Sequence, residues 1–232
     1  MGRLVTCTVP PTDPAGPPVT SLPVHRAIIA LDIEQSTGRP DPVKAELRAL
    51  LYKLSDAALC AAGIYSRHRD RFADRGDGFL GLIHPVDEVP KAVLLSRAVP
   101  ALIQLLTDYN TALPSADRPQ RQLRLRMVIH AGEVHYDANG CFGEALDIAF
   151  RLLDASSVKK ALRTTTSPLT LVVSGDIYHT VVRHGYNGIC QHAFHPLVRV
   201  HLAGNRYPGW IYIPQQAAQL RVTQIASYRQ PA

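Results

Sequence analysis

Residues 27–37 read Ala27-Ile28-Ile29-Ala30-Leu31-Asp32-Ile33-Glu34-Gln35-Ser36-Thr37. Five apolar residues ending on a carboxylate, with polar residues behind, predict a short buried strand that delivers Asp32 to its end. Farther on, Gly76-Asp77-Gly78 precedes the apolar run Phe79-Leu80-Gly81-Leu82-Ile83. Glycine and aspartate between two apolar stretches signal a hairpin tip, here bearing Asp77. A carboxylate at a strand end beside one at a hairpin tip can hold a divalent cation against a triphosphate. Magnesium needs only one or two carboxylates, because waters and phosphate oxygens complete its shell. A third stretch, Gly143 to Leu152, predicts a glycine-led helix that presents Asp147 and Arg151 on one face.

The rest of the chain fits around these stretches. Pro42 opens a helix whose apolar residues Val43, Leu47, Leu50, Leu51, Leu54, Ala58 and Leu59 recur at helical spacing up to Gly63. Ile64–Ala73 is expected as the first arm of the hairpin. Val89–Tyr109 predicts a second amphipathic helix, kinked near Pro100. Leu123–His130 is a strand by its alternation, and Gly132–His135 leads into a polar loop. Leu169–Ser174 is another buried strand, capped into a helix by Ser174-Gly175-Asp176. Two last strands, near Leu197–Leu202 and Trp210–Ile213, flank a loop at Gly204–Gly209. The order predicts one α/β (α+β) domain, a mixed sheet with helices packed on it, over residues 25–214. Residues 1–24, with prolines at 10, 11, 14, 17, 18 and 23, are expected as an unfolded arm. Residues 215–232 are expected as a polar tail.

Composition narrows the function classes. A chain of 232 residues, 46% hydrophobic and 19% charged, has the make-up of a soluble globular domain with a core of useful size. The net charge of +6 suits an anionic partner, but the basic residues are dispersed and no aromatic residues interleave with them. On composition, phosphorylated small molecules fit as well as nucleic acid does. Cys7, Cys60, Cys141 and Cys190 have no paired spacing, which points to reduced thiols in a cytoplasm. No apolar stretch reaches the roughly 20 residues of a membrane span, and no hydrophobic leader segment precedes the domain. His192 and His195 lack the further ligands of a zinc site. Walker loop, H-E-x-x-H and G-x-S-x-G patterns are absent.

Taken in order, Asp32 with Ser36-Thr37, Gly76-Asp77-Gly78-Phe79, His130-Ala131-Gly132-Glu133 and Gly143 through Leu152 resemble the class III nucleotidyl cyclase domain, the catalytic fold of adenylate and guanylate cyclases. The resemblance covers about Arg26 to Ile213. It implies a ferredoxin-like mixed sheet flanked by helices and a metal-dependent conversion of a nucleoside triphosphate to a 3′,5′-cyclic nucleotide and pyrophosphate. A nucleoside triphosphate, and no nucleic acid, is then the expected ligand. It implies Mg2+ or Mn2+ held by Asp32, Asp77 and Ile33, and phosphates cradled by Gln35, Ser36 and Thr37. Arg151 and Asp147 then take the catalytic helix positions. It also implies a head-to-tail homodimer, with the metal aspartates from one chain facing the arginine of the other. The chemistry suits these residue types, because cyclisation asks the protein mainly for positioning and charge stabilisation.

The chain departs from the family in its base-reading half. The usual lysine three residues before the Gly-Asp pair is Ala73, the second base-reading position is Gly140, and the usual asparagine is Asp147. Asp74, Arg75 and Asn139 adjoin the vacated positions and are the candidates for new base contacts. In this respect the chain resembles bacterial antiviral cyclases that make cyclic pyrimidine nucleotides, which implies non-standard base choice and a second-messenger role in defence. The alternative is a degenerate cyclase domain that binds a nucleotide or protein and regulates something else.

Overall fold

The computed structural model describes residues 22–213; the expectations for the proline-rich arm and the C-terminal tail fall almost wholly outside them. Strand β1, Val24–Ile33, sits near the middle of an eight-stranded mixed sheet. On one side it pairs antiparallel with β3 (Gly78–Ile83), and beyond β3 lies β2 (Ala73–Asp74). On the other side it pairs antiparallel with β4, Leu125–Asp137. Parallel to β4 runs β6 (Leu169–Ser174), followed by β8 (Asn205–Tyr212) and the edge strand β7 (Phe194–Leu202). A short β5, Gly140–Phe142, folds back on the far end of β4.

Side-chain alternation divides the core into two layers. Ile29, Leu31, Ile33, Leu125, Met127, Ile129, Leu171 and Val173 face α1 (Asp41–Ala61), a helical run made of α2 (Lys91–Val93), a π-helical stretch at Leu94–Ala98 and α3 (Val99–Ala112), and α7 (Gly175–Thr180). Ile28, Ala30, Leu80, Leu82, Val128 and Val172 face the opposite way, under α5 (Glu144–Asp154) and α6 (Ser156–Thr164). A short α4, Arg118–Arg121, precedes β4. The helices thus sandwich the sheet.

The predicted kink near Pro100 is the π-helical stretch. Proline has no N–H to give the preceding turn, and the chain widens there. Three local readings change. The first hairpin arm is not a continuous strand over Ile64–Ala73: Ser66–His68 makes a tight turn in which His68 Nδ1 accepts from the Tyr65 amide, Arg69 makes an isolated bridge to Ile83, and the regular ladder holds only Ala73 and Asp74. Gly132–His135 does not leave the sheet but continues β4 to Asp137. The Gly204–Gly209 loop is instead the first half of β8. Pro208 is tolerated because β6 pairs with β8 only as far as Gly209, so Pro208 borders β7 alone.

Candidate active site

The sheet register builds the first half of the site. Asp32 lies directly across from Arg126 on β4 and from Gly78 on β3, on the face that carries α5 and α6. Arg126 Nε donates to Asp32 Oδ1 at 2.7 Å, and both side chains are largely buried. Burial raises the Asp32 carboxyl to about 6; Arg126 opposes that rise, while Asp77 and Asp154 add to it. The hairpin tip is drawn against β1 by the Ile33 amide, which donates to the Asp77 carbonyl at 3.0 Å. That approach requires glycine at 78, where a Cβ would collide with the Leu31 carbonyl oxygen. Asp77 itself is exposed.

After β1 the chain turns through Gln35 in the left-handed region (φ 55) into a tight turn at Ser36–Gly38. The Gln35, Ser36 and Thr37 amides donate to no neighbouring strand or loop among the described residues. Successive free amides around a left-handed residue form an anion-binding concavity. Ser36 is buried, and Thr37 and Gln35 are exposed. Glu34 is engaged instead by Arg124, Nε to Oε2 at 2.9 Å.

The donor set fits a divalent cation on this geometry. Two carboxylates repel one another beside the Gln35–Thr37 turn, and a cation would relieve the repulsion. Asp32 and Asp77 would hold it with their side chains. Ile33, buried to 3% exposure, could offer only its carbonyl.

The second half stands on α5. Gly132 lets the helix lie close over β4: a Cβ there would come within 2.7 Å of Ala145 Cβ. Ala145, Leu146, Ile148, Ala149, Leu152 and Leu153 are buried, so Asp147 and Arg151 share the outer face. They line a cleft of about 770 Å³ with Phe150, Val200 and Leu202. No ion pair links Arg151 to Asp147 or Asp154 among the described residues; Asp154 pairs with Lys159 at 3.2 Å. A neighbouring cleft of about 680 Å³ is lined by Arg75, Cys141, Phe142, Asp147, Phe150 and Asn205, among others. The Arg75 guanidinium lies 5.1 Å from the Phe150 ring centre.

Neither α5 cleft is lined by Asp32 or Asp77, although Asp154, which lines one of them with Arg151, lies near enough to Asp32 to raise its carboxyl. Of the candidate base contacts, only Arg75 lines a cleft. Ala73 packs into the core layer beneath α5. Asp74 braces the hairpin, accepting from Arg48, the Gly76 amide and the Tyr52 hydroxyl, and the Arg48 contact holds its carboxyl down at about 2. Asn139 is exposed in the β4–β5 turn, its amide bound to Asp137 Oδ1, and Gly140 sits at φ 137. Cys141, beside them, does reach the cleft, and burial pushes its thiol up. Its neighbour position was read as vacant; the β5 pairing that turns Cys141 inward follows a glycine whose φ the sequence does not disclose. Arg126 was also missed, although the alternation Leu123-Arg124-Leu125-Arg126 puts both arginines on one strand face. His130 is buried, Nδ1 to Ser174 Oγ at 2.7 Å, and burial lowers its imidazole to about 4.

No protein-family model matches the chain, and no curated protein sequence does. Solved structures do match. The adenylate/guanylate cyclase/hydrolase from Silicibacter pomeroyi aligns over 83% of this chain and 98% of its own, at TM-score 0.55 and 16% identity. The guanylyl cyclase Cya2 aligns over 82% and 92%, at 0.54 and 13%. The adenylyl cyclase CyaB from P. aeruginosa aligns over 82% and 95%, at 0.52 and 11%. The chain has the nucleotidyl cyclase fold. At such identities the likeness is one of fold, and the residues must carry any statement about chemistry.

Proposed function

We propose that this cyclase-fold chain is a metal-dependent nucleotidyl cyclase. It would convert a nucleoside triphosphate to a 3′,5′-cyclic nucleotide and pyrophosphate, at two sites shared across a homodimer. One observation supports the reading: Asp32, Asp77 and the Gln35–Thr37 turn meet at the end of β1, while the exposed arginine suited to the α-phosphate lines an α5 cleft that neither carboxylate lines. A second copy, turned head to tail, would bring Arg151 to the first copy's carboxylates.

Asp32 and Asp77 would hold Mg2+ or Mn2+, which supplies charge neutralisation on the phosphates and acidifies the attacking 3′-hydroxyl. The amides of Gln35, Ser36 and Thr37 would bind phosphate oxygens. Arg151 of the other chain would stabilise charge that builds on the α-phosphate in the transition state. Asp147, lining both α5 clefts, would keep Arg151 from settling on the ground-state phosphate and would face the ribose and base.

The base is a pyrimidine in this reading. The cleft beside α5 offers Arg75, Cys141 and Asn205, with Phe142 and Phe150 as apolar walls. Ala73 carries no hydrogen-bonding group for a purine edge. Such a product would act as a second messenger, in keeping with the defence role of the enzymes the sequence resembles. The test is incubation of the full chain with each of ATP, GTP, UTP and CTP and manganese, with products identified by mass spectrometry. Cyclic UMP or cyclic CMP is expected. Efficient cyclic AMP synthesis would refute the pyrimidine reading, and silence with all four nucleotides from a folded, metal-binding protein would favour a regulatory nucleotide-binding module.

A further inference from the structure

Helix α6 plays no part in the site described so far, yet two of its cations line a concavity beside the turn that follows β1. Ala155 alone separates it from α5. Val158 and Leu162 anchor one side of the helix in the core, and Lys159 and Arg163, four residues apart, share another. These two cations line a concavity of about 160 Å³ with Glu34, Gln35, Arg126 and Leu162. A water occupies about 30 Å³, so the space accommodates a phosphate group with some of its hydration.

The charges there do not cancel. Arg126 is matched by Asp32 and Glu34 by Arg124. Lys159 has only Asp154, at 3.2 Å and 66% exposed, and Arg163 has no carboxylate partner among the described residues. An exposed pair of this kind is worth little and is readily exchanged for a better anion. The floor of the concavity is Gln35, whose left-handed turn carries the Gln35, Ser36 and Thr37 amides. One unmatched cation, Arg163, and the weakly paired Lys159 on one wall, with Arg126 on another and Gln35 beside them, form a site for a polyphosphate.

We propose that Lys159 and Arg163 of α6, with Arg126 and Gln35, bind the β- and γ-phosphates of the triphosphate held at Asp32 of the same chain, and retain pyrophosphate after the ring closes. The proposal rests on the cyclase reading.

The test is calorimetric binding of inorganic tripolyphosphate, in the presence of manganese, to the full chain and its variants. The parent should bind. The doubly substituted Lys159→Gln/Arg163→Gln chain should bind about 10- to 100-fold more weakly, the worth of one or two charge-assisted hydrogen bonds. Glutamine preserves helix propensity on an exposed face, and circular dichroism checks the fold. Lys160→Gln removes the same charge from the neighbouring position, which does not line the concavity, and should change affinity less than about twofold. Equal binding by the parent and the double variant would overturn the α6 site and leave the cyclase reading standing. Equal weakening by Lys160→Gln would overturn it in favour of diffuse charge. A parent that binds no tripolyphosphate overturns both.

Discussion

At the end of β1 the functional groups are held by sheet register, a buried ion pair and a glycine that no larger residue can replace. On α5, by contrast, Asp147 and Arg151 stand exposed on one helix face over two open clefts. The first region has the geometry of a binding site already organised before ligand arrives. The second has exposed side chains that make no ion pair among the described residues. Preorganisation is useful where ground-state phosphates bind, and an unpaired guanidinium is useful where charge appears only in the transition state. In the proposed cyclase that difference would divide the work, with binding in the first region and turnover in the second.

Breaking the two regions separately gives the largest expected effects. Asp77→Asn should abolish metal-dependent triphosphate binding, by about 100-fold or more, with the fold unchanged because Asp77 is exposed. Arg151→Ala should leave that binding within about threefold while turnover falls about 10²- to 10³-fold. Titration calorimetry and single-turnover product analysis separate the two. Mixing the two inactive chains should then restore activity, since half the randomly formed dimers carry one intact site, or about a quarter of the parental rate. No recovery on mixing would show that the regions do not meet across chains.

The base cleft sharpens the comparison at smaller magnitude. Restoring aspartate at Gly140 is obstructed by its φ of 137, a conformation that L side chains rarely adopt. Cys141 lines the cleft and is the better site for the carboxylate. Ala73→Lys with Cys141→Asp should raise purine turnover about tenfold or more relative to pyrimidine turnover. The ratio of cyclic products from equimolar nucleotide mixtures measures it, and an unchanged ratio would place base recognition elsewhere.

The two regions also differ in how plainly the sequence discloses them. The placement of Asp32, Asp77, Asp147 and Arg151 on their elements was legible because each sits at a fixed offset from a strong local signal: a strand end, a hairpin turn, a glycine-led helix. Helix α6 was not read, since Ser156–Thr164 carries only Val158 and Leu162 as fully buried anchors, too few for an evident period. β2 is only Ala73–Asp74 because the tight turn at Ser66–His68 interrupts the predicted arm. Arg126 gains its meaning only from the β1–β4 register, a long-range pairing that no local pattern reveals. Offsets along the chain are written in the sequence; pairings across the sheet are not.

The smallest expected effect is on stability, and it tests whether the β1 end is strained for function. Asp32 has a folded value near 6 against an ordinary 3.8, so the folded state holds its proton more tightly and loses stability as pH rises through that interval. The gap corresponds to roughly 2–3 kcal/mol of destabilisation above pH 6, with Asp32 ionised. His130 has the opposite sign: its folded value near 4 lies below the ordinary 6.5, so stability present above 6.5 is lost as pH falls toward 4. In the parent the two trends offset one another between pH 6 and 4, and thermal stability should vary little there. Asp32→Asn mimics the protonated carboxyl and keeps an acceptor for Arg126. It should raise stability at pH 7.5 by roughly 2 kcal/mol, while metal-dependent triphosphate binding is lost. Without the offsetting carboxylate, the variant should lose that advantage progressively on acidification and match the parent near pH 4. Chemical denaturation of both proteins across this range measures the difference, and a variant no more stable than the parent at pH 7.5 would mean that the buried Asp32–Arg126 pair carries no functional strain.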